Sequence, residues 1–448
     1  MLNFKEKKSP NVISTREISP AKVTFLASAS SIVIGLLVGL LFLFLIEIIK
    51  SQPDFTNPFY GFSNLLSAGV SSLGNIFKIL YKAAPLLMCG LAIGFAFKAG
   101  LFNIGATGQY TVAAFFALMS AILWQFPWWA ALIVAMIAGA LWGLIPGIFK
   151  AFFNINEVIT TIMLNWTALF FVNLLFYNNP GIYTSPERTT ALSNANPSAI
   201  LPDLGLGELL NSSYINIGIF IAIGFAILIY ILLNKTTFGF EIKACGHNKN
   251  ASIYAGIKAK KTIIFTMLIS GALAGLGGGI QFLSGTVQYT VSNTTLLSMG
   301  FNGIPVALLA FSNPLAIIAS SVFISYLQVG GESMQPVYSA EMVNVILAVI
   351  IYFSAFSLIM SQYIKKRLSK KNGDGESPKD KIEEVKELEI TPPDLIEEQA
   401  EVKKTQPKPK LNPKPKSTVK KTSTKPKPKS TVKKISTKPT PKSKGATK

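Results

Sequence analysis

Apolar residues along this chain gather in runs of close to twenty, separated by short polar stretches. Ten runs are legible, at residues 23–49, 79–97, 108–123, 129–149, 158–177, 215–233, 262–283, 297–311, 314–329 and 342–362. Most approach the roughly 20 residues that a helix needs to cross the hydrocarbon of a bilayer. The pattern predicts an all-α polytopic membrane protein with about ten transmembrane helices. The runs at 297–311 and 314–329 are short, and a single re-entrant pair is the alternative for them. The Gly-Ile-Pro at 303–305 and the Asn-Pro at 313–314 predict interruptions there. Proline removes a backbone donor and restricts the residue before it. The first run has a basic flank, no small-residue cleavage site and more length than a signal-peptide core. It reads as a retained anchor.

One polar stretch breaks the pattern. Residues 98–110 read KAGLFNIGATGQY and lie between two apolar runs. Non-helical backbone leaves N–H and C=O groups that lipid cannot satisfy. Such a stretch is tolerated where protein or a water-filled path supplies partners. It is therefore the first candidate for function.

Basic residues give the runs a direction. Lys5, Lys7, Lys8, Arg16 and Lys22 precede the first run. Lys235, Lys243, Lys249, Lys258, Lys260 and Lys261 fall in one loop, and Lys365, Lys366 and Arg367 follow the last run. Positively charged loops stay in the cytoplasm, so both termini are expected inside, as ten crossings allow. Lys98 and Lys150 then fall inside too. Lys78 and Lys82 fall outside and are the exceptions. Residues 178–214 form a long outer segment rich in Pro, Asn and Ser, with Arg188 as its basic residue.

The composition is 50% apolar and 14% charged, with a mean hydropathy of +0.43. Beyond residue 364 the material changes. That tail holds 25 basic and 11 acidic residues. The acids all lie in 372–401. Residues 403–448 carry 17 lysines and no acid, and include the tandem repeat PKPKSTVKKTSTK / PKPKSTVKKISTK at 413–438. Nothing there can bury a core, so the tail is expected to be disordered and polyproline-like. Its charge suits weak, salt-sensitive binding to anionic lipid or RNA. Three regions follow: a cytosolic N-terminal segment 1–22, a transmembrane domain 23–364, and the Lys/Pro-rich tail 365–448.

Several chemistries leave no trace. No nucleotide-binding G-x-x-x-x-G-K-[ST] loop occurs, so ATP hydrolysis by that route is not expected. The glycines at 271, 275, 277, 278 and 279 lie in an apolar run, where small-xxx-small spacing serves close helix packing. His247 has no Cys or His at metal-ligand spacing, and no metal or cofactor is expected. Cys89 and Cys245 are read as buried or reduced thiols. Glu157 is the main acid in the apolar body. Its polar residues are otherwise neutral: Asn103, Gln109, Asn165, Asn173, Gln281 and Asn302. That pattern suits an uncharged polar solute with an energy source elsewhere, although backbone carbonyls can also bind sodium.

A resemblance extends this reading. FNIGATGQ at 102–109 resembles the FNIGAEGQ signature of permease subunits of bacterial ABC importers for nucleosides and simple sugars. These form the branched-chain amino acid/ribose-type permease superfamily. NEVITTIMLNW at 156–166, FGFEIKACGHNKNASIYAGI at 238–257, SGALAGLGGGI at 270–280 and GFNGIPVALLAFSNPLAI at 300–317 follow in the family's order. The resemblance implies a bacterial cell-membrane permease subunit. Its partners would be cytosolic ABC ATPase subunits, a second and related permease chain, and an external substrate-binding lipoprotein. It also implies that the loop 235–261 docks on the ATPase, with Gly239, Gly246, Asn248, Tyr254 and Gly256 shaping the contact. Phe102, Asn103, Thr107, Gln109, Asn165, Phe301 and Asn302 are the candidates for the substrate path. Amides match base and ribose hydrogen-bonding groups, and the phenylalanines could stack a base. Phe102-Asn103 and Phe301-Asn302 also suggest two related helix breaks. The family commonly has an acid where this chain has Thr107 and Asn302. The departures mark a divergent member of a heterodimer or a shifted substrate. From the residues alone two other functions remain open: a stand-alone secondary transporter or channel, and a membrane anchor whose tail does the work.

Overall fold

The computed structural model describes residues 20–371, except 51, 186, 211 and 336. Sixteen α-helices are described: α1 Pro20–Ile49, α2 Asn57–Ser67, α3 Leu73–Lys98, α4 Ala106–Ile122, α5 Trp128–Phe153, α6 Glu157–Asn178, α7 Leu192–Ala195, α8 Leu206–Leu209, α9 Gly218–Lys235, α10 Thr237–His247, α11 Lys249–Tyr254, α12 Ala259–Phe282, α13 Ser298–Leu309, α14 Pro314–Glu332, α15 Ala340–Ser354 and α16 Ser357–Lys371. All ten apolar runs are helical. Eight spans among the described residues are long and apolar enough to cross a membrane, and α4 and α13 are shorter apolar helices. The tail from residue 372 and the segment 1–19 lie outside the described residues.

Four details depart from the sequence reading. The loop expected at 235–261 is a pair of helices, α10 and α11. Thr236 and Asn248 start them by accepting hydrogen bonds from the amides of Gly239 (3.1 Å) and Ala251 (3.0 Å), which satisfies donors every helix leaves free at its start. The last run is two helices, parted at Ala355-Phe356, and the second continues past residue 364 to Lys371. A short helix, α2, stands where none was read. Finally, α13 runs unbroken through Gly303 and Pro305, so Phe301-Asn302 is not at a helix break. Pro85 and Pro146 likewise sit inside α3 and α5. Lipid offers no water to reward an unwound backbone, so proline interrupts these helices less readily than soluble ones.

The central helices are α3, α4 and α12. Leucine, alanine and phenylalanine from all three form the buried core with α5 and α13. A close glycine seam joins α5 to α12. Gly139 and Gly143 face Gly275 and Gly271. A Cβ on Gly139 would come 2.7 Å from the Gly275 Cα, and one on Gly143 would come 2.9 Å from the Gly271 Cα. The glycine cluster read from the sequence is thus half of a two-sided seam, and residues 139, 143 and 147 supply the other half. Direct backbone contact of this kind is how helices gain packing energy where lipid removes the hydrophobic drive.

At 12 residues, α13 is about 18 Å long, short of the roughly 30 Å of hydrocarbon. The irregular chain before it is anchored on protein at alternate positions. Tyr289 and Val291 in it are buried. The amides of Thr189 and Val291 donate to Tyr289 O (3.0 Å) and Glu187 O (2.9 Å), tying it to the segment between α6 and α9. That segment holds the small antiparallel pair β1 Tyr183–Ser185 and β2 Arg188–Thr189. Burial pushes the Tyr289 hydroxyl above its ordinary pKa.

Glu47, near the end of α1, is a buried carboxylate that sequence inspection passes over. It accepts from Lys50 Nζ (2.7 Å), the Asp54 amide (3.0 Å) and Asn57 Nδ2 (3.2 Å). Tyr338 donates to it at 3.5 Å. These bonds fix the turn from α1 into α2.

Candidate translocation site

The FNIGATGQ stretch forms the turn between α3 and α4. It is built as a clamp. Asn103 Oδ1 accepts from the Gly105 amide (3.0 Å) and Gln109 Nε2 (3.3 Å). Asn103 Nδ2 donates to Gln109 Oε1 (3.0 Å) and Ser270 Oγ (2.7 Å). Asn165 reaches across from α6. Its Oδ1 accepts from the Gly108 amide (2.8 Å) and its Nδ2 donates to Ile104 O (3.1 Å). Gly108 lies in the first turn of α4, whose own N-cap, Gly105, offers no side chain. Asn165 therefore caps α4 from another helix. Asn103, Gln109 and Asn165 are each 1% exposed. Here their amides bond to one another and to the backbone. Phe102 stacks on Phe97 with ring centroids 4.9 Å apart.

Thr107 is fully buried, packed where Gly300 of α13 leaves room for it, and its Oγ1 has no hydrogen-bond partner among the described residues. Phe301 is half-buried on α13. The next residue, Asn302, lies on a different surface. It lines a cavity of about 1100 Å3 formed by α3, α12, α13, α14 and α15. Of the path candidates, Asn302 is the one on this wall. The structure thus parts Thr107 from Asn302: the first is a packing position, the second faces open space.

The cavity wall is amide-rich. Gln281, Asn302, Gln328, Gln335 and Asn344 all line it, together with Tyr81 and Tyr214. Gln281 Oε1 is buried without a hydrogen-bond partner among the described residues. Tyr81 is held in place by Ser284 Oγ (3.0 Å) and by Thr286 Oγ1, which donates to it at 2.7 Å. Lys78 and Lys82 also face the cavity, and both pair with Glu332. The two lysines that break the positive-inside pattern therefore share a carboxylate. Of this wall, Asn302 and Gln281 stand out in the sequence as neutral polar residues and Lys78 and Lys82 as charge exceptions. No spacing along the chain joins these to the rest.

The opposite end of α3 meets the α10–α11 hairpin. Sixteen residues separate Lys82 from Lys98, about 24 Å of helix. There Gly246 of α10 sits on the backbone of Lys98–Gly100, and a Cβ on it would come 3.0 Å from the Gly100 amide nitrogen. Gly239 is packed as tightly, 2.6 Å from the Leu233 Cα by the same measure. Gly256, at φ +85°, has open space around it. Asn248 is the cap of α11. Tyr254 projects from the hairpin, 93% exposed, with Phe240 and Ile253 exposed beside it.

A family model for the permease component of the branched-chain amino acid transport system matches residues 75–355. The chain belongs to this family. It is a multi-pass membrane permease component. It is 36% identical over 342 residues to the nucleoside ABC transporter permease protein NupB of Lactococcus lactis, covering 74% of this chain and 92% of the relative. It is 36% identical over 321 residues to the guanosine ABC transporter permease protein NupP of Bacillus subtilis, covering 68% and 90%. The glucose ABC transporter permease protein TsgB13 of Haloferax volcanii is 30% identical over 299 residues, covering 64% and 77%. No solved structure matches the chain. The permease family accounts for the absence of a nucleotide-binding loop, because a permease component supplies the path and not the hydrolysis.

Proposed function

We propose that this permease carries nucleosides through a bacterial cell membrane as the transmembrane subunit of an ABC importer. The observation that carries the reading is the cavity: five amide side chains and two tyrosines around about 1100 Å3. A nucleoside offers ring nitrogens, carbonyls and hydroxyls, which neutral amides match as both donors and acceptors. Tyr81 and Tyr214 supply flat faces for a base. The size suits a small ligand with its water, at the upper end of ordinary binding pockets. Relatives named for nucleosides and guanosine support the same substrate class.

Energy comes from elsewhere in this reading. The exposed Phe240, Ile253 and Tyr254 of the α10–α11 hairpin form the docking surface for a cytosolic ATPase subunit. With that hairpin inside, the cavity opens toward the outer face, where an external binding lipoprotein delivers the solute. A second permease chain completes the path. Both chain ends are cytoplasmic. The binding of the tail to anionic lipid or RNA concerns residues outside those described. Asn103, Gln109 and Asn165 serve the path by fixing the α3–α4 turn, and Asn302 serves it by contact.

The test is uptake of labelled guanosine by cells that depend on this permease and its partner subunits. Unlabelled nucleosides are expected to compete at concentrations at least tenfold (roughly) below those needed by glucose or ribose. Sugars competing as well as nucleosides would reassign the substrate.

A further inference from the structure

Among the described residues, the charged side chains on the cavity wall are Lys78, Lys82 and Glu332. Lys78 Nζ lies 2.6 Å from Glu332 Oε2, and Lys82 pairs with the other carboxylate oxygen. Lys78 also stands 5.8 Å from the ring centre of Tyr214. Lys78 and Lys82 are one helical turn apart on α3, so both face the same side. Glu332 closes the end of α14. One carboxylate therefore serves two ammonium groups, and one positive charge has no counter-charge on the wall. The three side chains are between 21% and 36% exposed, so water screens that charge less than it would at an open surface.

We propose that this excess charge makes the cavity a charge filter, with Lys78 and Lys82 as the specificity-determining residues. Neutral and anionic nucleosides enter. Nucleosides carrying a positive charge are repelled, because the amides and tyrosines of the wall accept hydrogen bonds but bring no negative charge to offset two lysines. Glu332 has both oxygens committed to Lys78 and Lys82, so it is not free to hold a cationic solute. The inference rests on the nucleoside reading and adds to it the sign of charge that the site accepts. One uncompensated charge within several ångströms of a solute, at the effective dielectric of a partly buried site, separates the two signs by roughly tenfold or more.

The experiment uses the intact transporter with its partner subunits, importing labelled guanosine. Two competitors differ at one position: 5′-amino-5′-deoxyguanosine, a cation, and guanosine-5′-carboxylate, an anion. The carboxylate is expected to inhibit at roughly tenfold lower concentration than the amine, or better. Lys82→Gln and Lys78→Gln remove the excess charge and should shrink that ratio toward one. Glu332→Gln adds to it and should widen the ratio. A general disturbance of the helices lowers guanosine uptake but does not move the ratio in opposite directions. Equal inhibition by both competitors in the native transporter, including none by either, overturns the filter. So does a ratio that all three variants leave unchanged. If the native transporter imports no guanosine or other nucleoside, the functional reading fails instead, and the two failures are told apart.

Discussion

Three asparagines of similar appearance in the sequence should behave in opposite ways. Asn165 bonds two backbone groups of the α3–α4 turn, whereas Asn302 faces the cavity. Asn165→Ala orphans the buried Gly108 N–H and the half-buried Ile104 carbonyl. An unmet buried group costs about 1–3 kcal/mol, which gives about 2–6 kcal/mol for the pair. Side-chain hydrogen bonds in membranes measure lower, about 0.6 kcal/mol on average, because freed side chains find other partners. Backbone groups fixed in a turn have fewer such choices, so a loss of about 2–4 kcal/mol is expected. Asn103→Ala frees the Gly105 amide and takes a partner from both ends of the Gln109 amide, and belongs in the same range. Asn302→Ala removes no protein hydrogen bond and should change stability by less than about 0.5 kcal/mol. The assay is thermal unfolding of the detergent-purified transporter, followed by light scattering and size exclusion, beside nucleoside uptake at saturating and limiting solute. Asn165→Ala should melt earlier. Asn302→Ala should melt like the native protein but need more solute for half-maximal uptake. Equal melting of the two variants would refute the division between clamp and cavity wall.

Two further outcomes are expected. Gly139→Val drives a side chain into the Gly275 backbone and should cost about 3 kcal/mol or more, read as loss of monodisperse protein, while Gly224→Ala, with open space around it, should not. Tyr254→Asp should leave melting unchanged but abolish uptake and ATPase co-purification. Uptake that survives with the ATPase still attached would remove the hairpin from the docking surface.

The helices were legible because apolar runs of this length have one use in a membrane chain. The ten apolar runs and their order follow from the sequence alone, although the last run is two helices, and so does the packing role of Gly271 and Gly275. Charge and glycine at 235–261 predict a loop; the helices there start on two caps, Thr236 ahead of Gly239 and Asn248 ahead of Ala251. Pro305 predicts a break on the rules of soluble helices. The clamp and the cavity were harder. Asn103, Gln109 and Asn165 look like substrate contacts because buried amides need partners, and sequence cannot say whether protein or solute supplies them. Lys78, Lys82 and Glu332 meet only because α3 and α14 pack side by side, 250 residues apart in the case of Lys82 and Glu332.

Gly246 resting on Lys98–Gly100 has a mechanical consequence. Most helix contacts are cushioned by side chains that rotate and absorb a shift of an ångström. Here main chain bears on main chain, and close-packed matter of this kind is nearly incompressible. A push on α10 must therefore move the α3–α4 turn by about as much. The turn leads straight into α4, where Thr107 bears on Gly300 with the same lack of slack. Two residues further along α13 stands Asn302. The hairpin packs at one end of α3 and the cavity lies at the other, yet the parts between them are in close contact, which gives the proposed ATPase docking a continuous route to the cavity wall.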